Sequence, residues 1–223
     1  TPCEHSFPTR RSSDLRAKEQ LQGKWLQAGI VCFISWLVIM TFSDENVVHS
    51  VQNVWQNGES VRGPIIQSSN GFGSLLSLVL SGPITLGVAA YFLKLTRNEG
   101  PTIENMFGGF KFFIKSFVLN IIINLFTILW SLLLIIPGII ASLGYSMSYY
   151  IMMDNPDLSA LDSLNRSKLM MSGFKFKLFS LWCSFIGWFF LGILTLGIGF
   201  LWINPYYETA KANFYQDIRF NII

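Results

Sequence analysis

Residues 116–153 read SFVLNIIINLFTILWSLLLIIPGIIASLGYSMSYYIMM. These 38 consecutive positions carry no charge, and Pro137-Gly138 sits near their middle. One helix of that length would reach about 57 Å, roughly twice the hydrocarbon thickness of a bilayer. A helix, a tight break and a returning helix fit better, with arms at 116–136 and 139–153. A run this long and this apolar belongs in a membrane rather than in one buried helix of a soluble domain.

Composition agrees. The chain is 51% hydrophobic and 13% charged, with 20 Phe and 7 Trp, against roughly 25% charged for a soluble domain. The formal charge of +3 does not point to nucleic acid. Its basic residues lie in short strips between apolar runs instead of forming one patch. The expected surroundings are the lipid bilayer, with other membrane proteins or further copies of the chain as partners and no nucleic acid.

Three more charge-free stretches, 25–43, 63–93 and 178–207, extend the pattern. The first, WLQAGIVCFISWLVIMTFS, predicts one crossing. The second becomes helical after the turn-rich SSNGFG and predicts a crossing near 74–95. The fourth stretch, 178–207, reads as one long tilted helix or as two short arms broken at Thr195-Leu196-Gly197. Arms of about 17 residues are at the lower limit for a crossing, yet the two-arm form repeats the plan of the third stretch. The expected fold is therefore all-α and polytopic, with six transmembrane helices as three hairpins and short amphipathic links.

The basic residues test this arrangement. With six crossings, the cytoplasmic segments are the N-terminus, 96–115, 154–177 and the C-terminus. Every Lys and Arg except Arg62 falls in them or at a border facing them. The intervening 44–71 loop holds Asp44, Glu45, Glu59 and one Arg. This positive-inside bias predicts both termini in the cytoplasm.

The N-terminal residues stand apart. There is no initiator Met, and Arg10-Arg11 are followed by SSDLRAKEQLQGK, not by the apolar core of a secretory signal. FPTRRSSDL at 7–15 back-translates to TTC CCT ACA CGA CGC TCT TCC GAT CT, which resembles a common sequencing-adapter sequence. Residues 1–15 are expected to be a non-native or disordered tail, so Cys3 and His5 carry no metal argument. The single membrane domain is expected over 16–215, and a C-terminal tail over 216–223.

The links share features. GGFKFFIKSF at 108–117 resembles SGFKFKLFSL at 172–181. Each places lysines at headgroup level beside phenylalanines that enter the acyl boundary. In the 154–172 link, Asn155 suits a helix cap, Pro156 the first helical position and Asp157 the positive end. Leu158, Leu161, Leu164 and Leu169 then define a broad apolar face opposite Asp162, Arg166 and Lys168. The link GPTIENMFGGFK is too short for more than about two helical turns.

Chemistry-bearing residues are sparse. His49 is the one histidine beyond the tail, and no HExxH, CxxC, GxSxG or phosphate-loop pattern occurs. No catalytic, cofactor or metal residue is assigned, and an enzyme is the less favoured reading. Cys32 and Cys183 read as small buried hydrophobes. The candidate intramembrane polar site is Asn120, Asn124, Asn204 and Glu208. Asn120 and Asn124 lie four apart on one helix face, where their amides need partners across helices. Asn204 and Glu208 repeat that spacing around Pro205. Glu208 reads as a border residue at a Pro kink or as part of a proton or ligand site, paired with Lys211 if enclosed. Tyr145, Tyr149, Tyr150, Tyr206, Tyr207 and Tyr215 read as an interface belt, or as hydroxyls lining a cytoplasm-facing cavity.

Four segments carry a resemblance: RAKEQLQGKW (16–25), GPITLGVAAYFLKLTRNEGPTIENMFGGF (82–110), LWSLLLIIPGIIASLGYSMSYYIMMDNPDLSALDSLNRSKLMMSGFKFKLF (129–179) and FIGWFFLGILTLGIGFLWINPYYETAKANFY (185–215). On these the chain resembles the DUF975 family of bacterial integral membrane proteins. More loosely, in hairpin layout only, it is similar to the membrane portion of some glycerophosphodiester phosphodiesterases. The resemblance implies a membrane protein of the cell envelope and carries over no activity or catalytic residue.

Two functions follow. One is a non-enzymatic organising, assisting or regulatory role among envelope components. The alternative is a small, oligomeric or monomeric transporter or channel using polar groups between helices. A lipid-directed enzyme would need a His or carboxylate cluster at one depth, and the sequence offers none. A core closed with Leu, Phe and Ile would favour the first function. A polar cavity containing Asn120, Asn124, Asn204 or Glu208 would favour the second.

Overall fold

The computed structural model describes residues 10–43, 71–195, 197 and 199–222. The expected 44–71 loop, with His49 and Arg62, lies outside them except for Gly71, as does the start of the N-terminal tail. Ten α-helices follow in order among the described residues: α1 (Arg10–Leu21), α2 (Trp25–Ser43), α3 (Gly71–Thr96), α4 (Glu104–Phe107), α5 (Phe113–Leu133), α6 (Ile135–Tyr145), α7 (Ser148–Asp154), α8 (Ala160–Met170), α9 (Lys175–Leu194) and α10 (Phe200–Ile222). A 3₁₀ turn, Gly108–Phe112, joins α4 to α5. The all-helical expectation holds, and these residues contain no strand.

The centre is α3. It packs against α1, α2, α4, α5, α7 and α10, and Ile84, Leu86, Ala89, Tyr91, Phe92, Leu93 and Leu95 are buried along it. Close approach needs its glycines. A Cβ on Gly87 would collide with the backbone of Met106, and one on Gly109 would collide with the backbone of Pro83 and Gly87. The two bare backbones thus seat the 3₁₀ turn directly on α3. Helices α5 and α9 are peripheral. Ile114, Leu125, Ile128, Leu132 and Leu133 of α5, and Trp188, Phe190, Ile193 and Leu194 of α9, are exposed.

Among the described residues, three stretches are long and apolar enough to cross a membrane: Leu76–Thr96, Glu104–Leu133 and Lys175–Leu194, with Trp25–Val38 a shorter apolar helix. The sequence led us to expect six. Beyond α2, whose apolar stretch Trp25–Val38 is short, the difference has two physical sources among the described residues. The returning arm 139–153 is split at Ser146-Met147 into α6 and α7, and eleven residues of α6 rise only about 16 Å. The last arm merges into α10, which carries Glu208, Lys211 and further polar residues beyond its apolar start.

The first hairpin break also moves. It falls at Leu134, in extended conformation, not at Pro137-Gly138. Pro137 instead sits in the first turn of α6, where its missing N–H has no intrahelical partner to lose. The second break matches the expectation. α9 stops at Leu194, Gly197 has φ of +91°, and α10 begins at Phe200. Thr195 Oγ1 accepts the Gly199 N–H at 3.0 Å across this turn.

The link helix is shifted as well. α8 is capped by Ser159, whose hydroxyl accepts from the Asp162 N–H at 3.1 Å, while Asn155 closes α7 instead. Its buried face is Ala160, Ser163, Leu164 and Ser167, and Leu161 and Leu169 face outward. Small side chains win because α8 lies close against α5, α6 and α7. Ser167 shows the benefit. Its hydroxyl donates to the Gly144 carbonyl at 2.7 Å and accepts from the Met147 N–H at 3.2 Å. Both backbone groups flank the α6–α7 interruption, so Ser167 satisfies a gap that α6 and α7 leave open.

At the chain ends, α1 starts at Arg10, before the Arg16 at which the membrane domain was expected to begin. The segment 216–222 continues α10 as helix. α1 packs along α10, with Arg16 Nη2 donating to Asp217 at 2.6 Å.

Candidate functional site

Asn120 is the hub of the first polar cluster. It is 8% exposed. Its Nδ2 donates to Ser81 Oγ at 2.6 Å and to the Leu78 carbonyl at 3.3 Å, both on α3. Its Oδ1 accepts from Tyr149 Oη at 3.0 Å and from Asn124 Nδ2 at 3.2 Å. One amide therefore ties α5 to α3 and α7, as interhelical bonding requires. Asn124 is exposed and reaches back to Asn120 along its own helix. The i, i+4 spacing makes that contact possible, but only the first residue faces inward.

Glu208 anchors the second cluster. Tyr150 Oη donates to Glu208 Oε2 at 3.3 Å. Lys211 Nζ stands 5.8 Å from the centroid of the Tyr150 ring, and that ring stacks on Tyr215 at 5.3 Å. Burial pushes the Lys211 ammonium down, but the charge of Glu208 pulls it further up, and the net shift is upward. Lys211 thus stays cationic beside the carboxylate.

A cavity of about 170 Å³ joins the two clusters. Its polar lining is Ser35 of α2, Thr85 of α3, Ser146, Tyr149 and Tyr150 near the α6–α7 junction, and Glu208 and Lys211 of α10. Ile84, Val88 and Ala89 form its apolar side. Of the four expected residues, Glu208 lines the cavity directly. Asn120 reaches it through Tyr149, and Asn124 only through Asn120. Asn204 lies outside the lining, one turn along α10 and half-buried. Adjacency explains how both clusters meet: Tyr149 and Tyr150 are consecutive, and one hydroxyl goes to each. Both tyrosines line the cavity.

A third cluster had no counterpart in the sequence reading. Asp154 ends α7 with its side chain 4% exposed. Arg97 Nη2 lies 2.8 Å from its carboxylate and Arg219 Nη1 lies 2.6 Å away. Tyr215 Oη donates to it at 2.8 Å. Burial, then the charge of Asp154, raises the Tyr215 phenol well above its usual range, keeping it a donor. The carboxylate thereby fastens the ends of α3, α7 and α10. Its only sequence signal was position: Asp154 closes the longest uncharged run. Nearby, Lys115 Nζ donates to the Pro156 carbonyl at 2.6 Å and pins the start of α5 to the same region.

Among the described residues, no group of three or more His, Cys, Asp or Glu side chains could hold a metal ion. Cys32 is buried and Cys183 exposed, so the expectation that both are buried holds for the first alone.

A family model described as a protein of unknown function, DUF975, matches residues 10–140 and 131–221. The chain belongs to this family. No curated protein and no solved structure matches it.

Proposed function

We propose that this member of the DUF975 family is a multi-pass protein of the bacterial cytoplasmic membrane that passes a small polar solute or proton through the cavity beside Glu208. The observation that carries the reading is the cavity itself. A carboxylate, an ammonium and several hydroxyls converge in a space of about 170 Å³ between apolar helices. Ionisable groups at such a position are costly to enclose, and transport pathways are a common reason for them. The volume suits a proton relay or a solute of a few heavy atoms, being below the roughly 300 Å³ of ordinary ligand pockets. No step in this reading needs a catalytic group, so it is a non-enzymatic function.

Membrane insertion is supported by the exposed apolar faces of α5 and α9. Water would penalise these faces, whereas lipid tails solvate them. In our reading α2, α3, α5, the α6–α7 pair, α9 and the first part of α10 supply six crossings. The interrupted α6–α7 crossing is tolerable because protein groups such as Ser167 satisfy its backbone. The distribution of Lys and Arg then puts both termini in the cytoplasm. Single-cysteine labelling in intact cells tests this: position 134, exposed at the break, should react from outside, and positions 105 and 165 and a cysteine appended after residue 223 should not. Labelling of the appended cysteine from outside would refute the two-arm arrangement of α9 and α10.

Transport is tested in proteoliposomes carrying a pH-sensitive dye. Glu208 faces Tyr150, Tyr207 and Lys211, with Cys32 of α2 also within its field. Glu208→Gln keeps the size and a hydrogen-bond acceptor but removes the charge. The expected result is loss of pH-dependent flux from a protein that still folds and inserts, with a lower unfolding midpoint because Lys211 loses its counter-charge. Wild-type flux no greater than that of empty liposomes would refute transport. It would favour the organising role, for which the broad apolar faces of α5 and α9 are the supporting observation.

A further inference from the structure

The geometry points to a second site, unrelated to the Glu208 cavity, that binds the phosphate group of a mono- or diester between α1, α3 and α10. A cavity of about 520 Å³ lies there. Three guanidinium groups line it, Arg16 from α1, Arg97 from the end of α3 and Arg219 from α10. Asp217 is the one carboxylate in the lining among the described residues, and it pairs with Arg16 at 2.6 Å. Asp154 lies behind Arg97 and Arg219 and is already bonded to both. The positive charge on the wall therefore exceeds the negative charge facing it.

Donors also exceed acceptors there. A guanidinium carries five N–H donors. Asp154 engages Nη2 of Arg97 and Nη1 of Arg219, which leaves further N–H groups on each. The amides of Gln20 and Asn213 are already engaged: Gln20 Nε2 donates to the Thr96 carbonyl at 3.2 Å, and Asn213 Nδ2 donates to Gln20 Oε1 at 2.8 Å. Gln216 Nε2 differs. It is buried, lines this cavity, and has no hydrogen-bond partner among the described residues. A buried donor without an acceptor is unfavourable, and an oxyanion in the cavity would supply one. Planar guanidinium forks match the oxygen spacing of phosphate. The volume exceeds that of bare phosphate, so the group it carries would fit too. A lipid headgroup and a soluble phosphate share this chemistry.

The test uses the full chain, delipidated in detergent, titrated with inorganic phosphate at constant ionic strength against chloride. Thermal unfolding midpoint and titration calorimetry are read together. A parallel arm compares nanodiscs of phosphatidylcholine with nanodiscs containing phosphatidylglycerol. Two variants accompany both arms. Arg16→Gln removes a partly exposed charge, and Gln216→Leu removes the unpartnered donor without touching an ion pair. Phosphate-specific stabilisation in detergent, weakened about tenfold by each variant, would support the site and a soluble ligand. Stabilisation by phosphatidylglycerol alone, weakened in the same way, would support the site and a lipid headgroup. No stabilisation in either arm would overturn the inference. Stabilisation equally strong in both variants would do so as well.

Discussion

Replacing Asp154 with Asn isolates the energetic role of one buried charge. The side chain is 4% exposed and accepts from Arg97, Arg219 and Tyr215, at 2.8, 2.6 and 2.8 Å. Asparagine keeps the shape and one acceptor oxygen, but it removes the charge and half of the acceptor capacity. Removing one partner of a buried ion pair costs about 3–5 kcal/mol. Here the two guanidiniums are 27% and 38% exposed, so water compensates part of their loss. We therefore expect about 2–3 kcal/mol, below the buried-pair range because of that hydration. The assay is reversible denaturant unfolding in mixed micelles, with Arg219→Ala and the double variant completing a cycle. Coupling between Asp154 and Arg219 should be about 1–2 kcal/mol, since Arg97 remains to share the carboxylate. A loss below about 1 kcal/mol for Asp154→Asn would place the pair among ordinary surface bridges. It would refute the view that this carboxylate fastens α3, α7 and α10 together.

Two smaller effects follow from the same geometry. Asn120→Leu should destabilise by about 1–2 kcal/mol, near the upper end for hydrogen bonds between membrane helices, because four contacts converge on that amide. Asn124→Leu should stay within about 0.5 kcal/mol; equal losses by unfolding in micelles would contradict the inward and outward assignment of the two. Ser159→Ala should cost about 1 kcal/mol through the lost cap of α8. Asn155→Ala, which does not cap that helix, should cost less, and hydrogen exchange of the first turn of α8 reports the difference directly.

The reading from sequence reached the helix set because hydrophobic runs and their breaks are local. Charge-free stretches located α2, α3, α5 and α9 without any knowledge of neighbours. Gly197 marked the α9–α10 turn because a positive φ favours that residue. Where it erred, a neighbour intervened. Pro137-Gly138 was a sound turn signal, but a proline is equally at home in the first turn of a helix, and that is where α6 places it. Asn155 and Ser159 are both good caps. The choice fell to Ser159, with Asn155 ending α7 and the short stretch 155–159 joining the two helices.

The polar clusters divide in the same way. Spacing alone was enough to put Asn120 and Asn124 on one helix and Asn204 and Glu208 on another. It could not choose which member of each pair joins the cavity network. That depends on how helices are rotated against one another, and Ser81, Tyr149 and Tyr150 are what select Asn120 and Glu208. Asp154 was legible only as the end of an apolar run. Its partners Arg97, Tyr215 and Arg219 are 57, 61 and 65 residues away in the chain. The sequence by itself determined an all-α chain with apolar helices of membrane length, through periodicity and charge exclusion acting within single segments. The tertiary structure alone decided where the cavities lie and which charges meet, because those depend on contacts between segments that no local pattern encodes.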